Sequence, residues 1–354
     1  MGGFETWFEE PGAYVLVDGQ YGSTGKGLLA GYIALQSRNL ITHVTTNAGP
    51  NSGHSAYWED EKIVTQQIPV ASVFLERMGY KADTMLNAGA VIDPDILQAE
   101  VAQYLDYKRV LVHPVAALIT KKAKERDTGN VSKISGTGKG VGPAIARKIG
   151  RSSLDVASFV YMPMLPTNRL PHQNWDSYWD WERDVVFVET AQGFSLGLNT
   201  AKFYPYVTSR ECTVMQALSD ARIPASKLNK VVACYRTYPI RVGNDPKTAG
   251  SYSGGCYGDQ KEITWADVGV EPELTTVTKR VRRVFTWSRQ QFKESVAVNE
   301  PNVLFINFMN YLKDHEWNHF LANMLGDYHS AMKKPVDALY IGTGPRSTDI
   351  KRVI

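Results

Sequence analysis

The sequence predicts an α/β fold: a mostly parallel central sheet flanked by helices, with a P-loop-like phosphate site after its first strand. Three observations carry this reading. Short apolar runs, among them Ala13–Asp18, Val185–Val188 and Val303–Asn307, lack the polar alternation of half-exposed strands and suit strands buried on both faces. They alternate with stretches of helical spacing, as in a doubly covered sheet. A glycine-rich turn, Gly19–Gly27, sits between the first strand and the first helix.

Each element has its own local signal. Lys26–Ser37 follows the glycine turn as a helix, and the β-branched Thr42–Thr46 reads as a strand. Met85–Asp93 ends in Asp93-Pro94, an N-cap residue followed by proline at the first helical position. Ile96–Tyr107 then places Leu97, Val101 and Leu105 at helical spacing. Arg109–Val112, Val185–Val188, Val231–Cys234, Val303–Asn307 and Ala338–Ile341 read as strands, and Phe320–Met332 as a helix. Lys121–Ser135 and Asn244–Gln260 are polar and glycine-containing, and mobile loops are expected there.

Composition narrows the function. At about 150 residues per domain, 354 residues would allow two domains. No linker separates them, so one domain with loop insertions, 1–354, is expected. Hydrophobic residues at 43% and charged residues at 21% are those of a globular chain, not a disordered one. The net charge of +3 excludes a strongly basic nucleic-acid coat protein, and no nucleic-acid partner is expected. No run reaches the roughly 18 apolar residues of a membrane span. Glu5, Glu9 and Glu10 precede the first apolar run, unlike a signal peptide. Cys212, Cys234 and Cys256 form no metal spacing or disulfide framework, so a cytoplasmic location is expected.

Four segments carry chemistry. In Gly19-Gln20-Tyr21-Gly22-Ser23-Thr24-Gly25-Lys26-Gly27, backbone N–H groups and a lysine would meet a phosphate at a helix N-terminus. The P-loop match is partial: Gln20 replaces the first glycine, and Gly27 replaces the Ser/Thr that holds Mg²⁺. Asn47–Ser55 carries His54, a candidate acid or hydrogen-bond donor to a developing phosphate charge. Ser135–Pro143, leading to Arg147, Lys148 and Arg151, is a second glycine-rich basic loop and suggests a second anion. Thr278–Arg283 clusters guanidinium groups suited to carboxylate or phosphate. His315-Glu316-Trp317-Asn318-His319 matches a zinc-hydrolase pattern, but no glutamate follows His319 and His329 has the wrong spacing, so it is read as a chance match.

Taken together and in order, Gln20–Gly27, Asn51–Ser55, Ser135–Ala144, Glu189–Gly193, Tyr204–Ser209, Ile240–Gly243, Thr276–Arg283 and Gly342–Pro345 resemble the motifs of the adenylosuccinate synthetases. In that family a purine 6-oxo group attacks the γ-phosphate of a nucleoside triphosphate, and the amino group of L-aspartate then displaces the phosphate. The resemblance implies catalytic roles for Ser23, Lys26, His54 and Gln192. It implies a triphosphate site made of Gly22, Thr24, Gly25, Lys26, Gly27, Gly53, His54, Ser55, Asn307, Asn310, Gly342, Gly344 and Pro345. It assigns Ser23, Asn51, Thr137, Arg151, Gln192, Thr208, Val242 and Gly243 to the nucleoside monophosphate, and Thr278, Arg280 and Arg282 to aspartate. Mg²⁺ would lie at Ser23 and Gly53, and Arg151 would reach into the neighbouring subunit of a homodimer.

Two departures refine this expectation. The family's catalytic aspartate, in G-D-E-G-K-G, is replaced by Ser23. Removing a carboxylate beside purine N1 makes room for a 2-amino group, a substitution that resembles the bacteriophage branch acting on dGMP for diaminopurine DNA. The T-K-L-D motif that reads GTP is also missing; the aligned stretch Ile306–Leu312 offers Asn310, whose amide suits adenine, so ATP or dATP is expected. The alternatives are an ordinary adenylosuccinate synthetase using IMP and GTP, and a catalytically dead nucleotide-binding homologue.

Overall fold

A computed structural model of the protein describes residues 7–37, 39–131, 133–151, 156, 178–275 and 279–354. Among these residues the centre is a nine-stranded sheet. Its spatial order is Ile350–Arg352, Ala338–Gly342, Val303–Asn307, Leu228–Arg236, Gly12–Asp18, Val185–Glu189, His43–Thr46, Asp83–Leu86 and Val110–Val112. All neighbours are parallel except Ile350–Arg352, which runs antiparallel along one edge. The first strand lies between Leu228–Arg236 and Val185–Glu189, so the turn that follows it opens at the middle of the sheet.

The two faces are packed by alternate residues of the same strands. Tyr14 and Leu16 join Leu29, Ile33, Phe74, Phe187 and Phe305 on one side. Ala13, Val15 and Val17 join Val188, Leu304, Ile306, Phe292 and Tyr328 on the other. This period of two explains why the sequence shows continuous apolar runs: both sets are buried.

Several expected boundaries shift. The first helix is Lys26–Gln36 and the third-strand crossover helix is Pro94–Tyr104, with Pro94 at its start. Asp93 precedes it without a side-chain cap bond, because its carboxylate pairs with Lys124 at 2.7 Å. Lys121–Ser135, expected as a loop, instead contains the helix Lys121–Val131. Its sequence hid this because Ala123 supplies the apolar contact, packing with Ile119, Val141 and Ala144 beneath the helix Val141–Ile149. Asn244–Gln260 has no helix or strand, but Ser253, Tyr257 and Gln260 are buried in it. In the zinc-like segment, Glu316 accepts the Lys313 N–H at 2.9 Å, and His319 bonds Asn323.

Leu16 is fully buried in the central strand. Leu16→Ala is expected to lower the unfolding free energy by about 2–5 kcal/mol, read as a reduced midpoint in urea denaturation.

Candidate active site

The first strand ends at Asp18, whose buried carboxylate organises the glycine-rich turn. Oδ1 accepts the N–H groups of Gln20 at 2.9 Å and Gly22 at 3.2 Å. Oδ2 accepts the Thr24 hydroxyl at 2.5 Å and Lys26 Nζ at 3.2 Å. Lys26 Nζ also donates to the Gln192 carbonyl at 2.8 Å. The place of Gln20 has a structural cause: its side-chain amide bonds the backbone N–H and C=O of Arg236 in the adjacent strand. Gly25 begins the helix with φ 97°, a left-handed conformation that suits glycine, and a side chain there would strike Asn307. No side chain caps this helix and its first turn holds no acid, so its N-terminal N–H groups are open to an anion.

Around this turn lies a cleft of about 490 Å³. Gly22, Ser23, Gly25, Lys26 and Gly27 form one wall. Asn51, Gly53, His54 and Ser55 enter from the segment that starts the hairpin His54–Trp58. Thr137, Gln192, Thr208, Val242 and Arg282 also line the cleft. Ser23 is exposed to the cleft in a left-handed conformation, φ 56°, and its carbonyl accepts from Arg236 Nη1 at 3.1 Å. Gln192 is also left-handed, with its amide 3.5 Å from the Ser52 hydroxyl.

His54 is fixed by Glu189, the last residue of a central strand. His54 Nδ1 lies 2.6 Å from Glu189 Oε1, while Oε2 accepts the Ala71 N–H at 3.2 Å. Glu189 is fully buried, so this bond fixes the ring and leaves Nε2 for the cleft.

Other expected residues lie outside the cleft lining. Thr24 is buried, its hydroxyl donated to Asp18. Asn307 is buried between Gly25 and Gly342, and its Oδ1 accepts the Phe308 N–H at 2.8 Å. Asn310 is exposed on the short turn Met309–Tyr311. Gly344 and Pro345 follow the strand Ala338–Gly342 at the surface near Asp349. Gly243 packs on the Val281 backbone. Arg151 is exposed. Arg280 is paired with Asp245 at 2.9 Å, and Thr278 lies outside the described residues.

Two charged residues that the sequence gave no reason to single out, Arg236 and Glu273, add to the site. Arg236 is fully buried, holds Glu273 through both guanidinium nitrogens and stacks 3.9 Å from the Phe308 ring centre. Burial would raise the Glu273 carboxyl, but Arg236, with Arg282 and the Tyr311 hydroxyl, holds it below the usual carboxylate range. Burial lowers Arg282 to about 10, which leaves it charged at neutral pH. Arg241 lies over the Tyr21 ring at 4.7 Å and donates to the carbonyls of Ser253 and Tyr206. Asp18 and Glu189 are acids at the ends of apolar runs, and Glu189 also opens the motif Glu189–Gly193.

The family model for adenylosuccinate synthetase matches residues 15–171 and 176–317. This chain belongs to the adenylosuccinate synthetase family. Within it the chain is 37% identical to the N6-succino-2-amino-2'-deoxyadenylate synthase of Salmonella phage PMBT28, over 96% of each chain. It is 36% identical to the protein of the same name from Vibrio phage phiVC8, over 95% of this chain and 97% of the relative. Among solved structures, the succinoaminodeoxyadenylate synthetase of cyanophage S-2L, bound to dGMP and to dATP as an energy donor, superimposes with a TM-score of 0.83. That match has 30% identity and covers 97% of this chain and 96% of the other. The family's ligases form C–N bonds, and a cleft with an anion-binding helix terminus and a half-buried, charged Arg282 matches that class of reaction.

Glu189→Gln keeps the size of the side chain but removes the carboxylate that fixes His54. A fall in kcat of about 10²- to 10⁴-fold is expected, with near-normal KM for the nucleotides, in steady-state assays.

Proposed function

We propose that this chain joins L-aspartate to C6 of dGMP at the expense of ATP or dATP. O6 of dGMP attacks the γ-phosphorus, the bond to the β-phosphate oxygen breaks, and the N1 proton is lost. The aspartate amine then adds at C6, phosphate leaves with O6, and the amine gives up a proton. The products are 2-amino-2'-deoxy-N6-succinyladenylate, ADP or dADP, and phosphate.

One observation carries the choice of dGMP. Ser23 stands at the position of the family's catalytic aspartate, exposed to the cleft. A hydroxyl there leaves space and a hydrogen-bond partner for the purine 2-amino group. The relatives named for a 2-amino product support the same reading. The cyanophage structure holds dATP, which supports an adenine donor. Exposed Asn310 lies away from the cleft lining, so donor choice rests on that likeness rather than on Asn310.

The residues divide the work. Lys26 and the open helix terminus at Gly25 and Gly27 neutralise the triphosphate. His54 Nε2, protonated, donates to the transferring phosphoryl group while Glu189 balances the ring charge; such catalysis is largely positioning and electrostatics. Gln192 meets the purine edge, and Asn51, Thr137 and Thr208 hold the monophosphate. Arg282 takes an aspartate carboxylate, joined by Thr278 and by Arg280 once it leaves Asp245.

Mg²⁺ suits this site as a companion of the phosphates. All four bonds to the Asp18 carboxylate come from the loop, and among the described residues no cluster of three acidic, histidine or cysteine side chains could cage a metal. The Gly53 carbonyl and the Ser23 hydroxyl, both exposed, would supply oxygen ligands, the rest coming from phosphate and water. When bound, Mg²⁺ neutralises phosphate charge.

The working unit is a homodimer in which Arg151 serves the partner's monophosphate site; its exposure outside its own cleft supports this. Residues 1–354 act as one catalytic domain, since the cleft draws on residues from Tyr21 to Phe308. The reaction belongs in the host cytoplasm, and among the described residues no helix is long and apolar enough to cross a membrane.

Three outcomes test the proposal. With saturating ATP and aspartate, kcat/KM for dGMP exceeds that for IMP; the reverse order refutes the base assignment. Ser23→Asp moves the dGMP/IMP ratio toward IMP by about a hundredfold, because a carboxylate crowds the 2-amino edge and a misplacement of ~1 Å is that costly. Mixing inactive Arg151→Ala and Lys26→Ala subunits restores part of the activity, and no restoration after proven subunit exchange contradicts the shared site.

A further inference from the structure

A second cavity of about 570 Å³ opens beside the cleft, and Ser55, Lys62 and Thr275 line both. Its charge balance sets it apart. Lys62 comes from the hairpin strand Glu61–Thr65, Lys139 from the second glycine-rich loop, and Lys279 from the segment after Thr275. Three separate parts of the chain thus bring ammonium groups to one hollow. No carboxylate lines it, and none of the three lysines makes an ion pair or a side-chain hydrogen bond among the described residues. Neighbouring cations are treated differently: Arg280 pairs with Asp245, Arg236 with Glu273 and Arg283 with Glu262. Convergent unpaired charge is self-repulsive and raises the local concentration of anions.

The position selects the anion. The cavity meets the cleft at Ser55 and Lys62 and at Leu274 and Thr275, and the Leu274 carbonyl accepts from Arg282 Nε at 3.3 Å, which puts this rim beside the arginine assigned to the dicarboxylate. Lysines on flexible stems act as hydrated point charges rather than rigid forks, which suits attraction and transit more than final fixation. We propose that this cavity is the vestibule through which the amino-dicarboxylate substrate reaches Arg282. The assignment rests on the ligase reading above.

The test is the triple variant Lys62→Gln/Lys139→Gln/Lys279→Gln, with the triple Lys→Arg variant as its charge-preserving partner. KM for aspartate is measured from about 0.01 to about 0.3 M salt, where the screening length falls from ~30 Å to below ~10 Å. The Gln variant should raise KM for aspartate about three- to tenfold at low salt, with kcat and the KM values for dGMP and ATP little changed. The difference should shrink at high salt, and the Arg variant should behave as wild type. An unchanged aspartate KM at low salt overturns the inference. So does an equal rise for either nucleotide, a salt-independent rise, or failure of the Arg variant to restore affinity. A wild-type enzyme that phosphorylates dGMP but never uses aspartate overturns the ligase reading and the vestibule with it.

Discussion

The Asp18 carboxylate is the constraint on which the rest of this structure depends. It lies at the end of the central strand, almost wholly buried, and takes four hydrogen bonds from the stretch Gln20 to Lys26. A glycine-rich turn left to itself has many conformations to lose. Here the bonds set its shape before any ligand arrives. Gln20 fastens the turn sideways to Arg236, and Gly193 packs so closely under Gly22 that a side chain would collide with it. The same carboxylate balances Lys26, so the phosphate-binding lysine is held in place without an uncompensated buried charge.

This arrangement also clarifies what the change to serine does. The family position at Ser23 sits between Gly22 and Thr24, which both bond Asp18, but gives Asp18 no bond itself; it lies in a left-handed turn and is held through its carbonyl to Arg236. Its side chain is therefore free to change without unravelling the loop. The nearby Glu273 carboxylate does not replace the lost one as a free base, because Arg236 and Tyr311 hold it in its charged, fully engaged form. The cleft instead presents a small hydroxyl to the base, a polarised histidine to the phosphoryl group and a charged arginine to the dicarboxylate.

Much of this was legible in the residues, and for identifiable reasons. Strands buried on both faces leave unbroken apolar runs, which is why Val303–Asn307 and the first strand stand out. The phosphate turn and His54 were visible because glycine spacing and motif order survive locally. The helix Lys121–Val131 was not, since among its described side chains Ala123 alone is apolar and buried, which carries almost no periodic signal. The pairs Arg236–Glu273 and His54–Glu189 were also hidden: their partners lie 37 and 135 residues apart, and only the folding of the chain brings them together. Arg280 shows a further limit, since its cluster suggested a free carboxylate ligand but the fold supplies Asp245.

The most direct measurement follows the oxygen. dGMP labelled with ¹⁸O at O6 is converted with unlabelled ATP, aspartate and the enzyme, and the phosphate is examined by mass spectrometry. The account predicts that the label leaves the purine and appears in inorganic phosphate in step with formation of the succinylated nucleotide. Unlabelled phosphate accompanying that product would contradict phosphorylation at O6, and with it the chemistry assigned to this cleft.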